Sequence, residues 1–148
     1  MNSAVPSVEA PVFEDIADAI ARHARERPDA PCITYQDRTL SWREFDRRLN
    51  QVANALIALG IGPSDKVAMV GRNSLRYAEA LFGTLRAGAC AVPLSSMAAA
   101  ESIEMMLDDS DSKILFLEEE FYDLAGPAKD AERVVLRRSN AVLAEYFS

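Results

Sequence analysis

The sequence predicts an α/β chain: a doubly wound, mainly parallel sheet with helices on both faces, preceded by an N-terminal helix and a β-hairpin. Three observations carry this reading. Short apolar runs at residues 67–70, 89–94 and 113–117 alternate with helix-length segments at 75–87 and 98–108. Strands separated in this way call for right-handed crossovers between parallel neighbours. The segment 75–87 is also apolar on nearly every side, as expected of a buried helix. Finally, 148 residues of which 49% are hydrophobic suffice for one domain that buries roughly two-thirds of its unfolded surface. That domain is expected over 13–148, after an extended or disordered start at 1–12.

In chain order, residues 13–27 carry Ile16 and Ile20 at helical spacing, with Ala17 and Ala24 beside them, and Pro28 ends the helix. A turn through Pro28 and Pro31 leads to a short strand at 32–35, a turn at 36–38 and a returning strand at Thr39-Leu40. Ser41 and Glu44 form an S-x-x-E capping box. The helix it opens repeats Phe45, Leu49, Val52, Leu56 and Leu59 along one core-facing stripe, and Gly60 supplies a left-handed stop. Ile103, Met106 and Leu107 are expected to point inward from the helix at 98–108. Gly88 closes the helix before the strand at 89–94. A weaker helix at 121–124 precedes a strand at 133–136.

Three glycine patterns raise the question of a nucleotide site. Gly60-Ile61-Gly62 begins like a dinucleotide fingerprint, but it follows a helix, and Asp65 stands where the next glycine belongs. Gly83 and Gly88 have P-loop spacing, yet Ala89-Cys90 occupies the place of Lys and Ser or Thr. Both patterns read as helix stops. Gly71-Arg72-Asn73-Ser74 sits between a strand end and a helix start, where free N–H groups and Arg72 could hold a phosphate or carboxylate. The plainer reading is that Asn73 or Ser74 caps the helix and Arg72 is solvated.

Other chemistry is sparse. His23 lacks a placed carboxylate or thiol partner and reads as a packing residue. Cys32 and Cys90 fall outside any C-x-x-C pattern and read as free buried thiols. Asp108, Asp109 and Asp111 flank Ser110 at a helix exit, where short polar residues satisfy local backbone groups. A calcium loop would need a Gly turn and a bidentate Glu as well. Glu118-Glu119-Glu120 reads as a solvated strand end. A net charge of −7 argues against nucleic acid as a partner, and Arg133, Arg137 and Arg138 are too small a cluster to reverse that. No run approaches a membrane span and the start is not a secretory signal, so a cytoplasmic setting is expected.

Taken in order, the motifs resemble the amino-terminal part of the acyl-CoA synthetase and AMP-dependent ligase superfamily, the adenylate-forming enzymes. The matching residues are Leu40-Ser41-Trp42-Arg43-Glu44-Phe45, Leu56-Ile57-Ala58-Leu59-Gly60-Ile61, Ser64-Asp65-Lys66-Val67-Ala68, Asn73-Ser74 and 85–94 ending Val92-Pro93-Leu94. Residues 101–107, Asp109-Ser110 and 113–116 continue the pattern. Departures are Trp42 for Tyr, Ser64 for Gly, Ser95-Ser96 for Asn-Pro, and Arg76-Tyr77 where an acidic residue is common.

The resemblance implies a parent that joins a carboxylic acid to ATP as an acyl-adenylate and then passes the acyl group to coenzyme A, with Mg as the metal. In the family, the phosphate loop, the Mg-ATP residues and the carboxy-terminal lysine lie downstream of the matching region. No catalytic, cofactor-binding or metal residue is therefore carried onto this chain, which is expected to be an amino-terminal fragment without cofactor, inactive alone. The alternatives are a non-catalytic module that self-associates or binds a partner through an exposed sheet edge or apolar face, and a flavodoxin-like binder using residues 71–74.

Overall fold

The structure, a computed structural model, describes residues 14–121 and the backbone of 132–136. The expected helix at 121–124 lies largely outside the described residues, as do the start at 1–12 and the side chains of Arg133, Arg137 and Arg138. Among the described residues ten elements follow one another: α1 (Ile16–Glu26), β1 (Pro31–Tyr35), β2 (Arg38–Ser41), α2 (Trp42–Ala58), β3 (Lys66–Val70), α3 (Leu75–Arg86), β4 (Cys90–Leu94), α4 (Ala100–Ser110), β5 (Ile114–Glu118) and β6 (Glu132–Leu136). β1 and β2 pair antiparallel, and the other four strands form a parallel sheet in the order β4-β3-β5-β6.

The core is set by the two-residue period of the central strands. Val67 and Met69 of β3, with Ile114 and Phe116 of β5, face Val52, Leu56 and Ala80 of α2 and α3. Ala68, Val70, Leu115 and Leu117 face Ile103 and Leu107 of α4 on the other side. Residues 67–70 are wholly buried, and Val67, Met69 and Val70 each contribute about 1.5–3 kcal/mol relative to exposure. A third cluster, Ile20, Leu40, Phe45, Leu49 and Leu75, packs α1 and the hairpin outside α2 and α3. The doubly wound reading therefore holds. Among the described residues, no helix is long and apolar enough to cross a membrane.

Local chemistry fixes the ends. Glu44 N–H donates to Ser41 Oγ (3.3 Å) and Ser41 N–H donates to Glu44 Oε2 (2.9 Å), completing the capping box. Gly60 and Gly88 adopt φ of +83° and +77°, left-handed values that suit a residue without Cβ. Arg86 then ties three helices together: it donates to the Asp46 carbonyl and carboxylate (3.1 and 2.6 Å), to Asn50 Oδ1 (2.9 Å) and to the Ala17 carbonyl (3.0 Å).

Several expectations need correction. Of the Gly83 and Gly88 pair, Gly88 is the helix stop as expected, whereas Gly83 lies inside α3, buried, where Val52 of α2 presses against the space a Cβ would fill. Leu59 closes α2 as its C-cap and is 36% exposed rather than part of the core stripe, because the chain leaves the helix there. Ile16, in the first turn of α1, is exposed while Ile20 is buried. Cys90 is exposed and Cys32 half-buried, since β4 is an edge strand and β1 belongs to the outer hairpin. Burial still pushes the Cys32 thiol up to about 11, which leaves it protonated at neutral pH. His23 does pack: its ring lies 4.7 Å from that of Trp42, with the Arg27 guanidinium 5.3 Å from the same indole.

Two outcomes follow. An added methyl at Gly83 would lie 2.5 Å from Val52 Cβ, so Gly83→Ala should lose roughly 1–3 kcal/mol by overpacking, despite alanine's better helix propensity. Urea unfolding should show a smaller loss in a Val52→Ala background. The Ser41 backbone N–H, together with the Ser41 hydroxyl, holds the Glu44 carboxyl below its usual value. A depressed folded value means that this stabilisation is present above the unfolded value and is lost as pH falls through the folded one. Glu44→Gln should flatten that acid-side part of the stability profile.

Candidate functional site

The order β4-β3-β5-β6 makes the chain leave β3 toward one side of the sheet and β5 toward the other. Adjacent strands with diverging connections create a crevice at their carboxyl ends, the usual ligand position of open α/β sheets. Here the crevice lies between the turn Gly71-Arg72-Asn73-Ser74 after β3 and Glu118 at the end of β5. It opens into a cleft of about 700 Å³ bounded by the hairpin turn 35–38, Arg48 of α2, the first turn of α3 and Glu118-Glu119-Glu120.

The sequence marks this turn as a phosphate or carboxylate pocket or a plain helix cap, and the geometry is that of a cap with an anion already in place. Ser74 is the N-cap of α3, its Oγ accepting from Tyr77 N–H (3.0 Å). The Glu118 carboxylate fills the rest: Arg72 N–H donates to Oε2 (2.9 Å) and Ser74 Oγ–H donates to Oε1 (3.0 Å). A negative group at a helix N-terminus is favoured by the exposed N–H groups and the aligned peptide dipoles. Gly71 makes the approach possible. A Cβ there would sit 3.0 Å from Glu118 Cγ and 3.1 Å from the Tyr77 ring. Burial, with the Glu118 charge adding to it, raises the Tyr77 hydroxyl above its ordinary value.

Arg72 is exposed but not simply solvated. Its Nε lies 3.2 Å from Glu120 Oε1, and its guanidinium stands 5.8 Å from the Phe121 ring centre. The acidic run is thus divided: Glu118 caps α3, Glu120 pairs Arg72, and Glu119 is exposed. Reading all three as solvated strand end is corrected on this point.

Beneath the cleft lies a group that sequence reasoning missed. Glu79 of α3 is 4% exposed and receives Arg48 Nη1 at 2.8 Å and Arg76 Nη1 at 2.8 Å, one on each carboxylate oxygen. Arg48 Nε is buried and has no hydrogen-bond partner among the described residues. A buried carboxylate needs such partners, because a lone buried charge is strongly unfavourable. The signal was the i, i+3 pair Arg76 and Glu79 in an otherwise apolar helix. The turn after α4 is local too. Ser110 Oγ–H donates to the Leu107 carbonyl (3.1 Å) and its oxygen lies 2.7 Å from Ser112 Oγ, while Asp111 takes φ +52° as the C-cap.

Comparison with known proteins places the fold. The family described as AMP-binding enzyme matches residues 20–145. A fatty acid–[acyl-carrier-protein] ligase, ScoC, of Streptomyces coeruleorubidus is 34% identical over 127 residues, 84% of this chain and 24% of that protein. The chain therefore spans about a quarter of the length of this relative. The crystal structure of the anthranilate CoA ligase AuaEII in complex with anthranoyl-AMP superimposes with a TM-score of 0.81 at 23% identity, covering 93% of this chain and 28% of that one. The N-terminal domain of FACL13 from Mycobacterium tuberculosis superimposes at 0.79 and 24% identity, over 91% of this chain and 35% of that one. At these identities the structural likeness is one of fold.

The Glu118 bonds set an outcome. Glu118→Ala removes a charged acceptor from Arg72 N–H and Ser74 and should cost roughly 1–3 kcal/mol in urea unfolding. Gly71→Ala should destabilise the parent chain and cost less in the Glu118→Ala background, where the carboxylate is gone and only the Tyr77 ring still crowds the added methyl.

Proposed function

The chain belongs to the AMP-binding enzyme family, and on that premise we propose that it is the amino-terminal scaffold of an adenylate-forming ligase, without adenylation activity as this 148-residue polypeptide. The reaction of the parent joins a carboxylate to the α-phosphate of ATP, releases pyrophosphate, and hands the acyl group to a thiol such as that of coenzyme A, with Mg bound to the nucleotide phosphates. A cytoplasmic setting, where ATP is supplied, goes with this reading.

The observation that carries the inactive half of the proposal is Glu118. Phosphoryl chemistry depends on free donors aimed at the phosphates. At the crevice, Arg72 N–H and Ser74 Oγ–H are already committed to a carboxylate, and Glu119 and Glu120 stand beside it. A polyphosphate does not fit there: it would meet like charge and find its donors taken. These residues instead set the spacing of β3, α3 and β5. The family's phosphate loop and Mg-ATP residues would then come from elsewhere in the ligase. Holding Glu118 against α3, and Arg48 and Arg76 against Glu79, keeps the crevice walls rigid, as positioning of reacting groups by a second domain portion would require.

ATP–pyrophosphate exchange tests the proposal. With aliphatic, aromatic and amino acids offered in turn, the purified chain should give no exchange above the acid-free blank. Acid-dependent exchange that follows the chain through purification would contradict it.

A further inference from the structure

β4 ends the sheet order, so one of its edges is unpaired among the described residues. The groups on that edge follow from its pairing with β3. Cys90 N–H donates to the Asp65 carbonyl (2.7 Å), and the register runs regularly from Lys66↔Cys90 to Val70↔Leu94. In a parallel ladder both backbone groups of a residue point to the same side, and successive residues alternate. Cys90, Val92 and Leu94 therefore face β3, while Ala91 and Pro93 face outward. Of those two, only Ala91 has an N–H to offer.

The usual protections of an open edge are charged side chains, a bulge or a proline. The strand Cys-Ala-Val-Pro-Leu carries no charge, and its register has no bulge. Its outer edge is otherwise suited to itself. Two copies related by a two-fold axis at Val92 would run antiparallel, with Ala91 of each opposite residue 93 of the other. Those are the positions at which antiparallel partners exchange both hydrogen bonds. With proline at 93, half of the donors are missing, and each pyrrolidine ring stands where the Ala91 carbonyl of the other copy must approach.

We propose that Pro93 bars the β4 edge from pairing with β4 of a second copy of this chain, and that replacing it by a strand-forming residue turns the edge into a dimer interface. The self-association expected from an exposed sheet edge is thus a latent property that one residue suppresses. Pro93 is exposed, so its replacement removes no core packing.

Sedimentation velocity across a hundredfold concentration range tests this on the full chain. Pro93→Val, with helix content and melting like the parent, should raise the weight-average mass up to twofold with concentration, and adding Ala91→Lys, whose half-buried position requires the same check of helix content and melting, should return it to a folded monomer. A folded Pro93→Val chain that stays monomeric overturns the proposal, as does a parent chain whose own association is abolished by Ala91→Lys. Amide hydrogen exchange of the unmodified chain gives a reading that needs no folded variant. The Ala91 N–H should exchange freely beside a protected Val92 N–H, and a slowly exchanging Ala91 N–H would show the edge already paired and refute the role of Pro93.

Discussion

Burial of β3 on both faces and both edges is the constraint from which the rest of the structure follows. Residues 67–70 have no solvent contact, so every backbone N–H and C=O there must find a partner within the fold. β4 and β5 supply those partners, in register from Val67↔Ala91 to Val70↔Leu94 on one side and from Val67↔Ile114 to Val70↔Leu117 on the other, and the ladders open just before with Cys90 N–H on the Asp65 carbonyl and Lys113 N–H on the Lys66 carbonyl. Two neighbours parallel to the same strand require a crossover on each side, and right-handed crossovers in opposite directions place α3 and α4 on opposite faces. The close α2–α3 packing, with Gly83 against Val52, then covers the face that α4 does not.

The same topology makes the crevice, and the chain closes it with its own carboxylate. Glu118 bridges the end of β5 to the start of α3 across 44 residues of sequence, counted to Ser74. The feature that draws anions to helix starts in nucleotide-binding folds is used here to join two elements. Gly71 is explained by that contact and by nothing local: it has an ordinary φ, and its missing side chain makes room for Glu118 and Tyr77. The Arg48–Glu79–Arg76 group beneath it fastens α2 to α3 at the depth where an uncompensated charge would be most unfavourable.

Local features were legible in the sequence because local chemistry fixes them. Ser41 and Glu44 announce their capping box by spacing alone, Gly60 and Gly88 their left-handed turns, and the alternation of apolar runs the parallel sheet. What the sequence withholds is which non-local partner each residue meets. The strand order depends on the side to which each crossover turns, so Cys90 could not be recognised as an edge residue. The close approach that requires Gly83 could not be seen because the Val52 contact comes from another helix. Glu79 was hidden in an apolar segment, and Glu118 in an acidic run with the composition of a solvated surface. The ordered motifs, by contrast, identified the family that the comparison with known proteins supports.

If β3 is the element on which the fold depends, its amides open only when the whole chain unfolds. Hydrogen exchange measured at increasing urea tests this most directly. The amides of Ala68, Met69 and Val70 should share one opening free energy equal to that of global unfolding and fall with the global denaturant dependence. Exchange of these amides through a smaller, denaturant-insensitive opening, while the helices remain protected, would contradict the account.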